Sequence, residues 1–211
     1  MLRNLAADAL GLSDLGRVVA PEDFPQCALP AYLLADERLH VLIQSRSDEY
    51  GFSNQAFWHL DGTSAISKRR LLKRFPYSQQ APHHILLETA GTLDLDAELK
   101  FTIGETNYSL DISRGQVDRL RPVYQALLAL ESACEQLRRE GEVLAASFQR
   151  VPELFRIKTL DSELLLNLPD ILNQTIAQLS AGQNARLREW HGRFEFSALF
   201  EKYLPPASVA G

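Results

Sequence analysis

Leu93-Asp94-Leu95-Asp96-Ala97-Glu98-Leu99-Lys100-Phe101-Thr102-Ile103 places an apolar residue at every odd position and a polar one at every even position. Only an extended strand sorts successive side chains onto a dry face and a wet face in this way. Gly104-Glu105 then supplies a turn, and Tyr108, Leu110 and Ile112 resume the alternation against Asn107, Ser109 and Asp111, which predicts a β-hairpin. After Gly115 the period changes. Val117, Leu120, Tyr124, Leu127, Leu130, Cys134 and Leu137 recur three or four apart, the signature of one apolar stripe along a helix.

Working towards the N-terminus, further strands are predicted at Leu39 to Ser45, Tyr50 to Ser53, Ala56 to Leu60, Ser64 to Phe75 and His84 to Glu88. Turn formers such as Ser53-Asn54 and Asp61-Gly62 separate them. With the hairpin this makes about seven short strands, each with one apolar face, a pattern that suits an antiparallel barrel or sandwich. There is no alternation of strand and helix that would build a parallel sheet. Towards the C-terminus, Gly141 is expected to end the first long helix. Further helices are expected at Glu142 to Gln149, Leu160 to Leu179 and Asn184 to Tyr203, with breaks at Pro152, Gly182 and Pro205-Pro206. The expected layout is an N-terminal helix and connector over 1–32, a β-domain with its capping helix over 33–140, a helical extension over 141–204 and a disordered tail over 205–211.

Composition narrows the class. Across 211 residues the chain is 45% hydrophobic and 23% charged, which suits a folded globular protein and not a disordered one. The 22 Lys and Arg against 27 Asp and Glu leave a net charge of −5, so no overall basic field draws the protein to nucleic acid or an anionic membrane. The opening MLRNLAADALGL carries Asp8 where a signal peptide would keep an unbroken apolar run, and it reads as a short amphipathic helix. No stretch approaches the roughly 20 apolar residues that cross a bilayer. Cys27 and Cys134 stand in no CxxC or Cys/His spacing, so the cytoplasm is the expected compartment.

Three blocks then carry a resemblance: Asp48-Glu49-Tyr50-Gly51-Phe52-Ser53; Asp61-Gly62-Thr63-Ser64-Ala65-Ile66-Ser67-Lys68-Arg69-Arg70; and Leu87-Glu88-Thr89-Ala90-Gly91-Thr92-Leu93-Asp94-Leu95-Asp96-Ala97-Glu98. In this order, over about Leu33 to Leu130, the chain resembles the bacterial pleckstrin-homology-like domain family. The resemblance implies an α+β fold: a seven-stranded, strongly bent antiparallel barrel capped at one open end by a helix, here Gln116 to Arg139, and followed by a helical extension. It also implies a scaffold without enzymatic activity that is prone to homo-oligomerise. In some members the extension serves oligomerisation.

Lys68-Arg69-Arg70-Leu71-Leu72-Lys73-Arg74 is the densest basic run. On a strand its charges divide between the two faces, Lys68, Arg70 and Arg74 on one and Arg69 and Lys73 on the other, so a solvated or ion-paired face is favoured over a phosphate clamp. Peripheral docking on anionic lipid through this run is the alternative function. The first hairpin, Ser45-Arg46-Ser47-Asp48-Glu49-Tyr50, has one Arg against two carboxylates, which departs from the phosphoinositide-gripping pattern of eukaryotic pleckstrin-homology domains. The acidic strand with Asp94, Asp96 and Glu98 is a candidate complement to the basic run, between protomers or across one barrel.

No metal or cofactor site is expected. Leu99 stands where a calcium loop needs glycine, and His83 and His84, as strand neighbours, should point to opposite faces. His40, His59 and His191 have no Cys, His or carboxylate at ligand spacing. No motif of nucleophilic, phosphate-binding or dinucleotide chemistry is present, and no aromatic-rich stacking motif accompanies the basic run, so nucleic acid is not an expected partner. Trp58 is expected in the barrel or at its rim. Leu187, Trp190, Phe194 and Leu199 form an apolar C-terminal cluster that either faces another subunit or folds back on Leu164, Leu168, Ile171, Leu172, Ile176 and Leu179. The chain therefore reads as a non-enzymatic, homo-oligomerising scaffold or interaction module of the cytoplasm, with a place at the membrane periphery under the lipid alternative.

Overall fold

In a computed structural model of the protein the described residues are 15–62, 70–89, 97–149 and 162–204, with residues 114, 162–169 and 171 described by backbone alone. The strands are β1 (Arg17–Val18), β2 (Leu39–Gln44), β3 (Glu49–Ser53), β4 (Ala56–Asp61), β5 (Leu71–Pro76), β6 (Pro82–Thr89), β7 (Ala97–Ile103) and β8 (Thr106–Ile112). The helices are α1 (Val117–Gln149), α2 (Ser162–Gly192) and α3 (Ser197–Tyr203). Two compact units emerge: residues up to Cys134 together with those from Glu195 onward form a β unit, and Glu135–Phe194 form a helical unit.

The named strands of the β unit pair antiparallel, in a sheet ordered β1-β2-β3-β4-β5 and a second ordered β6-β7-β8. A parallel bridge between Gly16 and Ile112 ties the two together, with the Gly16 amide donating to the Asp111 carbonyl oxygen at 2.6 Å. Along β7 the alternation works as expected: Ala97, Leu99, Phe101 and Ile103 are each buried to 1% exposure or less while their neighbours are half-buried. Leu93 to Asp96 lie outside the described residues. Phe101 meets Phe52 and Phe57 with ring centroids 5.5 and 5.3 Å apart and stacks on Tyr108 at 5.1 Å, so aromatic rings from both sheets fill the interior.

Strand β4 does not alternate. Ala56, Phe57, Trp58, His59 and Leu60 are all buried, because the first sheet is covered on both faces. Phe57 faces the interior. Ala56, Trp58 and Leu60 pack with Val19, Leu29 and Leu42 beneath the connector that includes Phe24, Cys27 and Leu33. Two short 3-10 helices, Pro21–Gln26 and Leu29–Tyr32, carry that connector. The Glu49 carboxylate anchors it by accepting the Ala28 and Leu29 amides at 3.0 and 2.7 Å. Part of the segment read as helix and connector therefore includes an edge strand, β1, and a lid over the sheet.

Cap and C-terminus depart from the expected boundaries. Helix α1 buries Leu120, Val123, Leu127, Leu130 and Cys134 in the β unit, as its stripe requires, but it runs through Gly141 to Gln149, and α2 likewise runs through Gly182. The break comes instead after Gly192. From Glu195 the chain rejoins the β unit: the Phe196 amide donates to the Asn54 carbonyl oxygen at 2.9 Å, and Phe200, fully buried, stacks on His40 at 5.0 Å. Polar and charged side chains close this seam, with Asn54 Nδ2 donating to Glu195 at 2.8 Å and Arg38 paired with Glu201 at 3.2 Å.

Candidate functional site

Of the basic run, Lys68 and Arg69 lie outside the described residues, and Arg70 is exposed just before β5. The other two are committed internally. Lys73 Nζ lies 3.2 Å from Asp61 Oδ2. Arg74 reaches Glu37 Oε1 at 2.6 Å and sits over the Trp58 ring at 5.5 Å from its centroid. Of the acidic strand, Asp94 and Asp96 also lie outside the described residues. Glu98 accepts the Ser109 hydroxyl and pairs with Lys100 at 2.9 Å, and these two partners hold its carboxyl below the usual carboxylate range. Within the chain Lys73, Arg74 and Glu98 thus have other partners. The reason is topological: β5 pairs with β4 in one sheet, whereas β7 pairs with β6 and β8 in the other.

The apolar C-terminal cluster is divided between the two units. In the helical unit, Phe194 is buried and meets Trp190 edge to face at 5.2 Å. Trp190 in turn donates Nε1–H to the Leu137 carbonyl oxygen at 2.8 Å. A Cβ on Gly141 would fall 2.4 Å from the Trp190 ring, so Gly141 is the notch that lets the indole reach α1. Around it, Arg193 pairs with Glu140 and Arg138 with Glu142. Leu199 is half-buried on α3, in the β unit. What α2 leaves outside is a row at helical spacing: Leu172, Ile176 and Leu179 are 38%, 58% and 36% exposed, and half-buried Leu187 continues the row. Beside it a groove of about 320 Å³ is lined by Phe148, Leu179 and Gly182, among others.

Sequence reasoning missed a third cluster. In the pairing of β3 with β4, Tyr50 lies opposite His59 and Glu49 opposite Leu60, a register that carries Asp48 towards Asp61. Lys73 lies opposite His59 on β5. Ligand-type atoms of Asp48, His59 and Asp61 accordingly come within 4.8 Å of one another. His59 is 7% exposed, Nε2 is 3.8 Å from Asp48 Oδ2, and neither ring nitrogen has a hydrogen-bond partner. Burial, against the pull of Asp48, lowers the His59 pKa and favours a neutral imidazole. Asp48 is held in place by the Tyr50 hydroxyl at 2.9 Å and the Gly62 amide at 2.8 Å. The available signal was Asp61, two residues after His59 on the same strand face; Asp48 becomes a neighbour only through pairing.

His83 and His84 do not point to opposite faces as expected. The ladder is irregular between His83 and Leu86, His84 takes φ +53°, and the two rings meet edge to face at 4.7 Å. The Glu131 carboxylate accepts the His84 amide at 2.8 Å, which holds the kink.

Comparison with one solved structure agrees with this architecture. A PH-domain-containing bacterial protein from Exiguobacterium sibiricum 255-15 superposes with a TM-score of 0.72 at 31% identity, covering 91% of this chain and 100% of that one. A protein with a pleckstrin-homology domain from Shewanella loihica PV-4 gives a TM-score of 0.43 at 24% identity over 55% of this chain and 98% of its own. The uncharacterized protein YvbH of Bacillus subtilis (strain 168) is 42% identical over 132 residues, a match that spans 62% of this chain and 65% of that relative's length. The antiparallel sheets, the helix that caps them and a match of residues 9–131 to the family model place the chain in the bacterial PH domain family.

Proposed function

We propose that the protein is a non-enzymatic, homo-oligomerising interaction module of the cytoplasm, in which the helical unit supplies the contact between subunits. The observation that carries this reading is the exposed row Leu172, Ile176 and Leu179 on α2, together with Val143 of α1, which is 71% exposed. Apolar residues spaced four and three apart gain stability from being covered, each by an amount proportional to the area removed from water. Trp190 and Phe194 are already spent on packing inside the helical unit, so the proposed contact uses Leu172, Ile176, Leu179 and Leu187 instead.

Membership of a PH-domain family supports a binding scaffold over a catalyst, and fold alone does not name its partner. Among the described residues no helix is long and apolar enough to cross a membrane. Lipid docking through the basic run would draw on Arg70 among the described residues, since Lys73 and Arg74 are engaged by Asp61 and Glu37.

Light scattering on the full chain tests the proposal. The expected result is a defined oligomer that becomes monomeric in the Ile176→Glu variant while the far-ultraviolet circular dichroism is retained. A wild-type chain that is monomeric at all concentrations, or an oligomer indifferent to Ile176→Glu, would overturn it.

A further inference from the structure

Asp48, just before β3, together with His59 and Asp61 of β4 has the composition of a ligand set, and its imidazole lacks the usual hydrogen-bond partners. His59 is a polar side chain more than nine-tenths buried, and both of its ring nitrogens lack a hydrogen-bond partner. A buried group of this kind normally finds one. Its Nε2 looks towards Asp48 Oδ2, 3.8 Å away, a gap too wide for a hydrogen bond. Tyr50 stacks on the imidazole at 4.6 Å with the planes 20° apart, and Tyr108 meets it edge-on at 5.5 Å, so the ring plane is set by packing.

We propose that Asp48, His59 and Asp61 form a binding site for a divalent metal ion of the zinc class, with one imidazole nitrogen and two carboxylate oxygens as ligands and water completing the shell. One nitrogen and two oxygens, all hard or borderline donors, suit Zn²⁺. In a tetrahedral shell, bond lengths of about 2.0–2.2 Å set neighbouring ligand atoms roughly 3.4 Å apart. The donor atoms, spread over at most 4.8 Å, have to draw in by roughly 1 Å to reach that separation. Two carboxylates facing one imidazole leave negative charge for a cation to neutralise. Part of that charge is now met by Lys73, whose ammonium lies 3.2 Å from Asp61 Oδ2. The ion therefore has to displace Lys73 from Asp61, whereas Asp48 is already oriented by Tyr50 and Gly62.

Competition by Lys73 yields a test that a merely structural histidine would fail. Full-length protein stripped with a chelator is titrated with Zn²⁺ by calorimetry, and with Co²⁺ to read the visible spectrum of the bound ion. The expected result is one equivalent per chain, an affinity at least tenfold weaker in His59→Phe, and an affinity severalfold tighter in Lys73→Met. Phenylalanine keeps a ring between Tyr50 and Tyr108, and the thermal transition of each metal-free variant checks folding. The proposal is overturned if the stripped protein takes up no Zn²⁺. It is equally overturned if uptake is unchanged by His59→Phe, as it would be for metal held by His83 and His84.

Discussion

The indole of Trp190 occupies the notch that Gly141 leaves in α1, and its Nε1–H closes a 2.8 Å hydrogen bond to the carbonyl oxygen of Leu137. A glycine in the middle of a helix ordinarily costs about 1 kcal/mol relative to alanine. Here a methyl group would sit 2.4 Å from the ring, closer than carbon atoms approach, and the ring is tethered by its hydrogen bond. The steric term wins. Gly141→Ala should destabilise the helical unit by about 1–3 kcal/mol, the usual cost of overpacking, and shift the Trp190 fluorescence. With Trp190 already replaced by Ala, the same substitution should change sign and stabilise. Thermal unfolding of the single and double variants measures the coupling.

The C-terminal segment should behave as part of the β unit. Phe200 is fully buried and stacked on His40, and Phe196 packs edge to face on Tyr77 at 5.7 Å. Phe200→Ala should cost about 3–5 kcal/mol, in the range of large buried aromatic deletions. Removing everything from Glu195 should expose His40 and Tyr77 and lower the midpoint of the β-unit transition in chemical denaturation. A C-terminal truncation that left this midpoint unchanged would show the segment to be dispensable.

Alternation and helical stripes were legible because each depends on one element and one buried face. The β7 pattern and the α1 stripe from Leu120 to Cys134 needed no knowledge of their neighbours. What was not legible depends on partners distant in sequence. Gly141 reads as a helix end because a glycine has no local reason to be inside one; the reason is Trp190. Arg17–Val18 is too short to show a period. Its place in the sheet is set by pairing with Gln44 and Ile43. Asp48 and His59 become neighbours through the register of β3 on β4, which a single strand does not encode.

Acid should loosen the same C-terminal seam. Burial lowers the His40 pKa below its ordinary value of 6.5, outweighing the attraction of Glu201. Burial does the same at His59. A histidine with a depressed folded-state pKa binds its proton more readily when unfolded, so stability is complete above the unfolded value and falls as the pH drops below about 6.5. His40→Phe keeps the stack on Phe200 and removes that part of the dependence. Hydrogen exchange of residues 195–204 on either side of this pH should show faster opening at the lower value in the wild type and a smaller change in the variant.

Arg74 and Arg70 should separate the structural share of the basic run from whatever share serves a ligand. The Glu37 side chain is fully buried, and Arg74 supplies its counter-charge through Nε at 3.0 Å and Nη2 at 2.6 Å. Replacing Arg74 by Ala strands a carboxylate in the protein interior and also uncovers Trp58. The expected loss is about 3–5 kcal/mol, as for other buried pairs broken on one side. Lysine at the same position keeps the charge but loses the forked donors, so Arg74→Lys should fall between wild type and alanine. Arg70 is exposed, and Arg70→Ala should alter stability by no more than about 0.5 kcal/mol. Urea unfolding of the three variants orders them. If Arg74→Ala proved as mild as Arg70→Ala, the pair with Glu37 would contribute nothing to the fold, and Arg74 would be released to act beside Arg70 towards an anionic partner.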